Sequence, residues 1–323
     1  MHKAPLPKVC FFLTFSCKNR FFVVYFIQSP ATPHKLLKGG LSRMRASSKR
    51  FLTALFALSL LLSALLGSSC AGRQATDDTV SIDVLKIGKA DCIVINTGKS
   101  IVMIDTGEAE NRSAIHGYMQ TQGYKSIDTL ILSHYDKDHI GCADEIISSY
   151  HVATVIEPHV TDVTAEYVAY HNTILAQGVS LLKPRSCYTF TLDGCAFTVD
   201  VPQKSQYKSK HDNNVSLIVS MQYGEKRFLF CGDAMEERLG EWIDGAYGQH
   251  DFVKLPYHGN ALDNYEDFLD ACKPSYTAIT CSGKHPPSET VLSLLKQHGT
   301  SVYLTTGGTV HLTTDGTSIN IVQ

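Results

Sequence analysis

The sequence predicts one α/β (α+β) domain over residues 79–323, preceded by a basic, apolar head of different character. Three observations carry that prediction. From Thr79 onward, strand-like and helix-like apolar patterns alternate with short connections, and no internal repeat or low-complexity tract interrupts them. Asp128–Leu132 is a compact apolar run of the kind buried on both faces of a sheet. The charges are also segregated. Residues 1–70 hold ten of the 29 Lys and Arg and no Asp or Glu, which leaves the rest of the chain 19 bases against all 31 acids, a formal −12. At 44% hydrophobic and 19% charged residues, collagen, coiled coil and wholesale disorder are excluded.

Taken in order, Val80–Ile87, Cys92–Asn96 and Ser100–Ile104 read as three strands, with a turn at Thr97-Gly98. A helix is expected over 110–122, stopped by Gly123, ahead of the buried run at 128–132. Helix Ala143–Ser149, strand Val152–Ile156 and helix Ala165–Gln177 follow. The second half gives strands near 188–192, 195–201, 215–222 and 226–231, then a helix at 235–242. Strands at 251–255 and 275–280 bracket a helix at 264–271. Helix Ser288–Gln297, strand Ser301–Leu304 and a hairpin turning at Asp315-Gly316 close the chain.

The head reads as an address. Arg45, Lys49 and Arg50 give Met44–Cys70 a positive start, Phe51–Leu66 is an uncharged run of sixteen residues, and Gly67-Ser68-Ser69-Cys70 is a small-residue cleavage site. Such a run is short for a hydrocarbon core of ~30 Å, so a cleaved signal is expected rather than a permanent span. A cysteine after small residues resembles a bacterial lipoprotein box, with Gly67 where that box has Leu. The expectation is an exported bacterial protein, either lipid-anchored to the membrane through Cys70 or secreted, with an uncleaved anchor as the alternative. Residues 1–43 carry two short aromatic-rich runs, Phe11–Phe15 and Phe21–Ile27, and are read as a mis-assigned or unstructured leader upstream of a start at Met44. Residues 71–78 are a linker.

Seven of the ten cysteines follow Cys70, none in a CxxC pair, which argues against a zinc ribbon. Cys187 and Cys195 flank a hairpin turning at Asp193-Gly194 and are the best disulfide candidates. The others are expected to behave as small buried hydrophobes.

The chemistry is concentrated after the buried strand, in Ser133-His134-Tyr135-Asp136-Lys137-Asp138-His139-Ile140-Gly141. Two imidazoles and two carboxylates crowd into six residues there, and such a set shares one loop cheaply only when a cation offsets its charge and desolvation. This loop resembles the HxHxDH signature of the metallo-β-lactamase superfamily. It is most similar to the branch of ComEC-type competence proteins and their stand-alone secreted relatives, which has Asp where Asp136 stands. Gly88-Lys89-Ala90-Asp91 looks like the opening GQGDA element, with Lys89 and Ala90 departing from it. Ile104-Asp105-Thr106-Gly107 matches IDTG, and Asn213-Asn214-Val215-Ser216-Leu217 matches NNxSL. Cys231-Gly232-Asp233 matches TGD with Cys for Thr, and Tyr257-His258-Gly259 matches HHG with Tyr for the first His. His285-Pro286-Pro287-Ser288-Glu289 matches its HP-S-E helix start.

The resemblance implies an αβ/βα four-layer sandwich, two mixed β-sheets flanked by helices. It implies one or two divalent metal ions, Zn²⁺ or Mn²⁺. His134 and Asp136 would hold one, Asp138, His139 and His258 the other, and Asp233 would bridge them. Asp136 makes the first site oxygen-rich, which tilts it toward Mn²⁺ or Mg²⁺. Its third ligand is open, since Asn214 is a poor one; His211 and His159 are the substitutes within reach of the pattern. Asp138, His258 and His285 are the implied catalytic residues, His285 as phosphate binder or general acid. Asp105 and Asp91 are expected to shape turns and orient metal loops, and Tyr257 either to donate to a transition-state oxygen or to pack.

The implied activity is an exported metal-dependent hydrolase, a phosphodiesterase or nuclease-type enzyme using a metal-bound hydroxide. A lactonase, thioesterase or β-lactamase-type hydrolase, or a non-catalytic lipoprotein scaffold, is the alternative. A body at −12 repels polyanions, so a phosphodiester or other small hydrolysable substrate fits better than long duplex DNA, with short single-stranded nucleic acid as the largest candidate. Lys204, Lys208 and Lys210 form the one local basic run, read either as a phosphate grip or as a solvated face. No obligate protein partner is inferred.

Overall fold

The computed structural model of the chain describes residues 15–17 and 20–22 by their backbone, together with residues 79–208 and 211–323, His211 by its backbone alone. The chain divides into two compact units, Met1–Arg73 and Gln74–Gln323. In the first, β1 (Phe15–Cys17) and β2 (Arg20–Phe22) pair antiparallel, with Phe15 opposite Phe22. The expected export signal, Cys70 and the linker lie outside the described residues. Among the described residues, no helix is long and apolar enough to cross a membrane.

The second unit holds two sheets. The first takes β3 (Val80–Val84), β4 (Ile93–Asn96), β5 (Ile101–Ile104), β6 (Ser126–Ile131), β7 (His151–Ile156) and β8 (Ser180–Leu182), and is completed by β16 (Val310–Thr314) and β17 (Ile319–Val322). Its order is β17-β16-β3-β4-β5-β6-β7-β8, antiparallel up to β5 and parallel from β5 to β8. The second takes β9 (Tyr188–Leu192), β10 (Cys195–Asp200), β11 (Ile218–Tyr223), β12 (Lys226–Phe230), β13 (Phe252–Lys254), β14 (Tyr276–Ile279) and β15 (Ser301–Leu304). Its order is β15-β14-β13-β12-β11-β10-β9, parallel up to β12 and antiparallel beyond.

Side-chain alternation along the strands builds the layers. Val102, Ile104 and Ile131 of the first sheet meet Phe197, Phe228, Phe230 and Phe252 of the second in one buried cluster between the sheets. The alternate residues, such as Met103, Leu130 and Leu132, face helices Arg112–Gln122, Ala143–Ser149 and Ala165–Gln177 through Ile115, Met119, Ile146 and Tyr170. Leu229, Val253 and Ile279 do the same for helices Glu236–Asp244, Tyr265–Cys272 and Glu289–Gln297 through Trp242, Phe268 and Leu295. The architecture is therefore a four-layer αβ/βα sandwich, as expected. Every parallel strand ends toward one edge, where the loops after β5, β6, β12, β13 and β14 gather. Polar loops at the carboxyl ends of parallel strands are where such sheets place ligand sites.

The hairpin disulfide is a correction. Cys195 is opposite Leu192 beside the turn, whereas Tyr188 is opposite Val199, so Cys187 sits at the far end of the hairpin. Both are free cysteines, Cys187 exposed and Cys195 buried. The first strand also stops at Val84 rather than Ile87, because the chain turns there to carry Lys89 and Asp91 toward the site.

Candidate metal centre

The centre is assembled from the loop after β6 and the four loops around it. Asp138, His139, Asp233 and His258 bring one ligand atom each within 4.8 Å of one another, and all four are buried. His139 Nε2 lies 3.3 Å from Asp233 Oδ1, and His258 Nε2 lies 3.1 Å from Asp233 Oδ2 and 3.3 Å from Asp138 Oδ2. His134 is buried beside them, its ring 4.1 Å from that of His139, and its Nε2 is 3.7 Å from Asp136 Oδ2. His134 and Asp136 thus face each other and stand outside the four-residue grouping. His285 lies at the exposed mouth, on a tight turn in which Ser282 and His285 exchange backbone hydrogen bonds.

The hydrogen bonds behind the imidazoles fix which nitrogen faces the centre. His139 Nδ1 donates to Asp105 Oδ2 at 2.8 Å. Ser133 Oγ donates to that carboxylate at 2.7 Å, and so accepts from His134 Nδ1 at 3.0 Å. Thr280 Oγ1 donates to Asp91 Oδ1 at 2.5 Å, and so accepts from His258 Nδ1 at 3.0 Å. All three Nδ1 atoms are donors, which leaves three Nε2 lone pairs. Those three Nε2 atoms and Asp233 Oδ1 are buried and make no hydrogen bond. Orphaned acceptors of this kind cost stability in a protein interior unless a cation meets them. The donor set therefore fits a divalent ion, with imidazole and carboxylate ligands of the kind that suit Zn²⁺ and Mn²⁺.

Burial works against the charges on Asp138 and Asp233, yet the neighbouring imidazoles, with Lys89 beside Asp138, hold both carboxyls well below their usual range. Burial likewise opposes protonation of His139 and His258, and the carboxylates around them (Asp233 foremost, with Asp105 and Asp91 at His139 and Asp138 and Asp91 at His258) together outweigh it, drawing positive charge to the same Nε2 positions that a cation would meet. Beneath them lies an ion pair with no exposure, Lys254 with Asp91. The second acidic grouping, Asp91 with Asp105 and His139, is thus already met by an ammonium.

The backbone shows where the fold enforces this arrangement. Asp105, Tyr257 and His258 have φ of 60°, 49° and 53°, a left-handed conformation that non-glycine residues adopt at a cost and that clusters at functional sites. Gly232 has φ 52°, and a Cβ there would lie 2.8 Å from Ser133 Oγ, the atom that orients both Asp105 and His134. Asn214 does not line the cavity, and its side-chain carbonyl accepts from Arg238 N at 3.1 Å, at the start of helix Glu236–Asp244. Asn213 does, with Nδ2 3.5 Å from Asp233 Oδ2. The His211 side chain lies outside the described residues, and His159 is not among the residues lining the cavity. Lys204 is paired with Glu237 at 3.1 Å, the Lys208 backbone bonds the same carboxylate, and Lys210 lies outside the described residues.

The centre opens into a cavity of about 470 Å³ lined by Lys89, Asp136, Asp138, Asn213, Asp233, Tyr257, His258, Asn260, Lys284, His285 and Pro286. The sequence singles out Lys89 only as a departure from the GQGDA element, and Lys254 and Lys284 not at all. A lysine inside the apolar run Phe252-Val253-Lys254-Leu255 was the signal for one of them.

The Metallo-beta-lactamase superfamily matches residues 86–280, more than half of the chain, and the chain belongs to that family. Among individual proteins, it is 27% identical to ComE operon protein 3 of Bacillus subtilis, over 69% of this chain and 31% of that protein. It is 25% identical to Recombination protein 2 of Haemophilus influenzae, over 67% of this chain and 26% of that protein. The chain thus spans less than a third of the length of these relatives. The metallo-beta-lactamase fold protein YhfI from Bacillus subtilis is a similar solved structure, 14% identical with a TM-score of 0.49, covering 72% of this chain and 98% of that one.

Proposed function

We propose that the chain is an exported metal-dependent hydrolase acting on phosphodiesters, either a small diester or a short single-stranded nucleic acid. The observation that carries this reading is the convergence of Asp138, His139, Asp233 and His258, with His134 beside them, at an open polar cavity, where Asp233 Oδ1 and the three imidazole Nε2 atoms are buried without a hydrogen-bond partner. Asp138, His139, Asp233 and His258 would hold one ion; His134 and Asp136, with Asp233, would hold a second. When bound, a divalent ion supplies Lewis acidity to a phosphoryl oxygen and makes water a nucleophile at neutral pH. The chain's own residues do the rest. Asp105, Ser133 and Thr280 lock the imidazoles in the tautomer that presents Nε2. Tyr257 and His285 line the cavity mouth, where they can give a proton to a leaving oxygen. The choice of a phosphodiester rests on the likeness to competence proteins and on the carboxylate-rich floor. Export and a lipid anchor at Cys70 rest on the sequence of the head.

The test is to strip the full chain of metal and titrate back Mn²⁺, Zn²⁺ and Mg²⁺ against a chromogenic phosphodiester, single-stranded DNA and a chromogenic β-lactam. Metal-restored diester cleavage that is lost in Asp138→Ala is the expected result. Cleavage of the β-lactam alone moves the chemistry to amide hydrolysis, and silence with every substrate leaves a scaffold.

A further inference from the structure

Lys89 enters the cavity from the turn between β3 and β4, at the position where the related element has a neutral Gln. That turn is tied down on several sides. Asp91 N donates to Asp138 O at 3.0 Å, Gly107 N donates to Asp91 O at 2.8 Å, and Asn111 Nδ2 donates to Ile87 O at 3.0 Å. Asp91 itself is pinned by the buried Lys254. The turn therefore delivers the ammonium to a fixed place, 2.6 Å from Asp138 Oδ2, with the side chain 36% exposed toward the cavity. The Asp138 oxygen that accepts from Lys89 is also 3.3 Å from His258 Nε2, so this cation stands at the edge of the ligand cluster itself. An ammonium has three donors and Asp138 uses one of them.

Charge decides what those remaining donors meet. Asp136, Asp138 and Asp233 line the cavity against two ammonium groups, Lys89 and Lys284, a formal −1. A single divalent ion turns that to +1, and without Lys89 the same ion would only neutralise the floor. The body as a whole is acidic and repels anions at a distance, so attraction has to be local.

We propose that Lys89 is a specificity-determining residue that seats an anionic oxygen group of the substrate, phosphate in its simplest form, against the ligand cluster, with Lys284 as the outer contact. This rests on the hydrolase reading above and sharpens it: substrates bearing a charged phosphoryl group are selected over neutral esters at the same centre.

The test uses the full chain loaded with Mn²⁺, in its native form and as Lys89→Gln and Lys89→Arg, with inorganic phosphate as the probe. Phosphate affinity is read by calorimetry and metal content by elemental analysis. Lys89→Gln should weaken phosphate binding by about 10–100-fold, the range of one charge-assisted hydrogen bond, while metal content stays the same. Lys89→Arg should stay within about threefold of the native chain, since it keeps the charge. In kinetics, Lys89→Gln should raise KM for a chromogenic phosphodiester far more than it lowers kcat, and leave the KM of a neutral chromogenic ester unmoved. Unchanged phosphate affinity in Lys89→Gln overturns the proposal. So does loss of metal in that variant, which would make Lys89 a support for the cluster. If the native chain cleaves no diester, the phosphodiesterase reading falls, and the phosphate titration still decides the role of Lys89.

Discussion

Replacing Lys254 by Met should damage the protein more than its distance from solvent suggests. Lys254 and Asp91 both have no exposure, and each is the other's countercharge. Two unit charges in contact at about 3 Å attract by roughly 5 kcal/mol at an effective dielectric near 20, and removing one partner of such a pair costs about 3–5 kcal/mol because the other stays buried and unpaired. At about 2–4 °C per kcal/mol for a domain of this size, the melting temperature should fall by roughly 6–20 °C. The damage should not stay local, since Asp91 also accepts from Thr280, which accepts from His258. The assay is thermal unfolding of the native chain, Lys254→Met, Asp91→Asn and the double variant. The double variant removes both charges and should recover at least half of the loss seen in Lys254→Met. A fall below about 2 °C in Lys254→Met, or a double variant as unstable as the two single losses added together, would refute the reasoning.

Three further outcomes are expected. Saturating Mn²⁺ or Zn²⁺ at about 100 times its Kd should add about 2.7 kcal/mol to stability, read as a rise in melting temperature that a chelator reverses and that Asp138→Asn abolishes. His250 is buried, donates from Nδ1 to Gly248 O at 2.9 Å and accepts at Nε2 from Ser220 Oγ at 2.8 Å; burial first, then Arg227, lowers its pKa to about 4. Its folded value lies below its unfolded one, so this stability is present above pH 6.5 and is lost as pH falls toward 4. The native chain should therefore lose about 2 kcal/mol more than His250→Gln between pH 7 and pH 5 in urea unfolding. Gly232→Ala should cost about 1–3 kcal/mol from the left-handed backbone alone and should weaken metal binding, because its Cβ displaces the Ser133 hydroxyl. Unaltered calorimetric metal affinity in that variant would show that Ser133 does not orient the ligands.

The sequence exposed those features whose signal is local. Strands β5 and β6 and helix Ala165–Gln177 follow from periodicity, and the loop from His134 to His139 declares itself because four ligand-type residues sit in six positions after a buried strand. Other features depend on how distant segments meet. Lys254 and Asp91 lie 163 residues apart, and only the sandwich makes them partners. The choice between Asn213 and Asn214 depends on helix Glu236–Asp244, whose first turn takes the Asn214 carbonyl. The hairpin disulfide failed on register: pairing runs outward from Asp193-Gly194, so Cys195, next to the turn, cannot meet Cys187 at the far end. Strand β8 and the four-residue helices Lys137–Ile140 and His211–Asn214 are too short for periodicity to show.

The central claim is that the buried, unpartnered groups around Asp233 are metal ligands, and it is tested most directly by the metal content of the native chain against Asp233→Asn. This change keeps the shape of the side chain and removes the charge that both His139 and His258 face. After incubation with Zn²⁺ or Mn²⁺ and desalting, elemental analysis should find about one ion or more per native chain, and roughly a tenth of that or less in the variant, with circular dichroism unchanged. Equal metal content in the two proteins, or none in the native chain, would contradict the account.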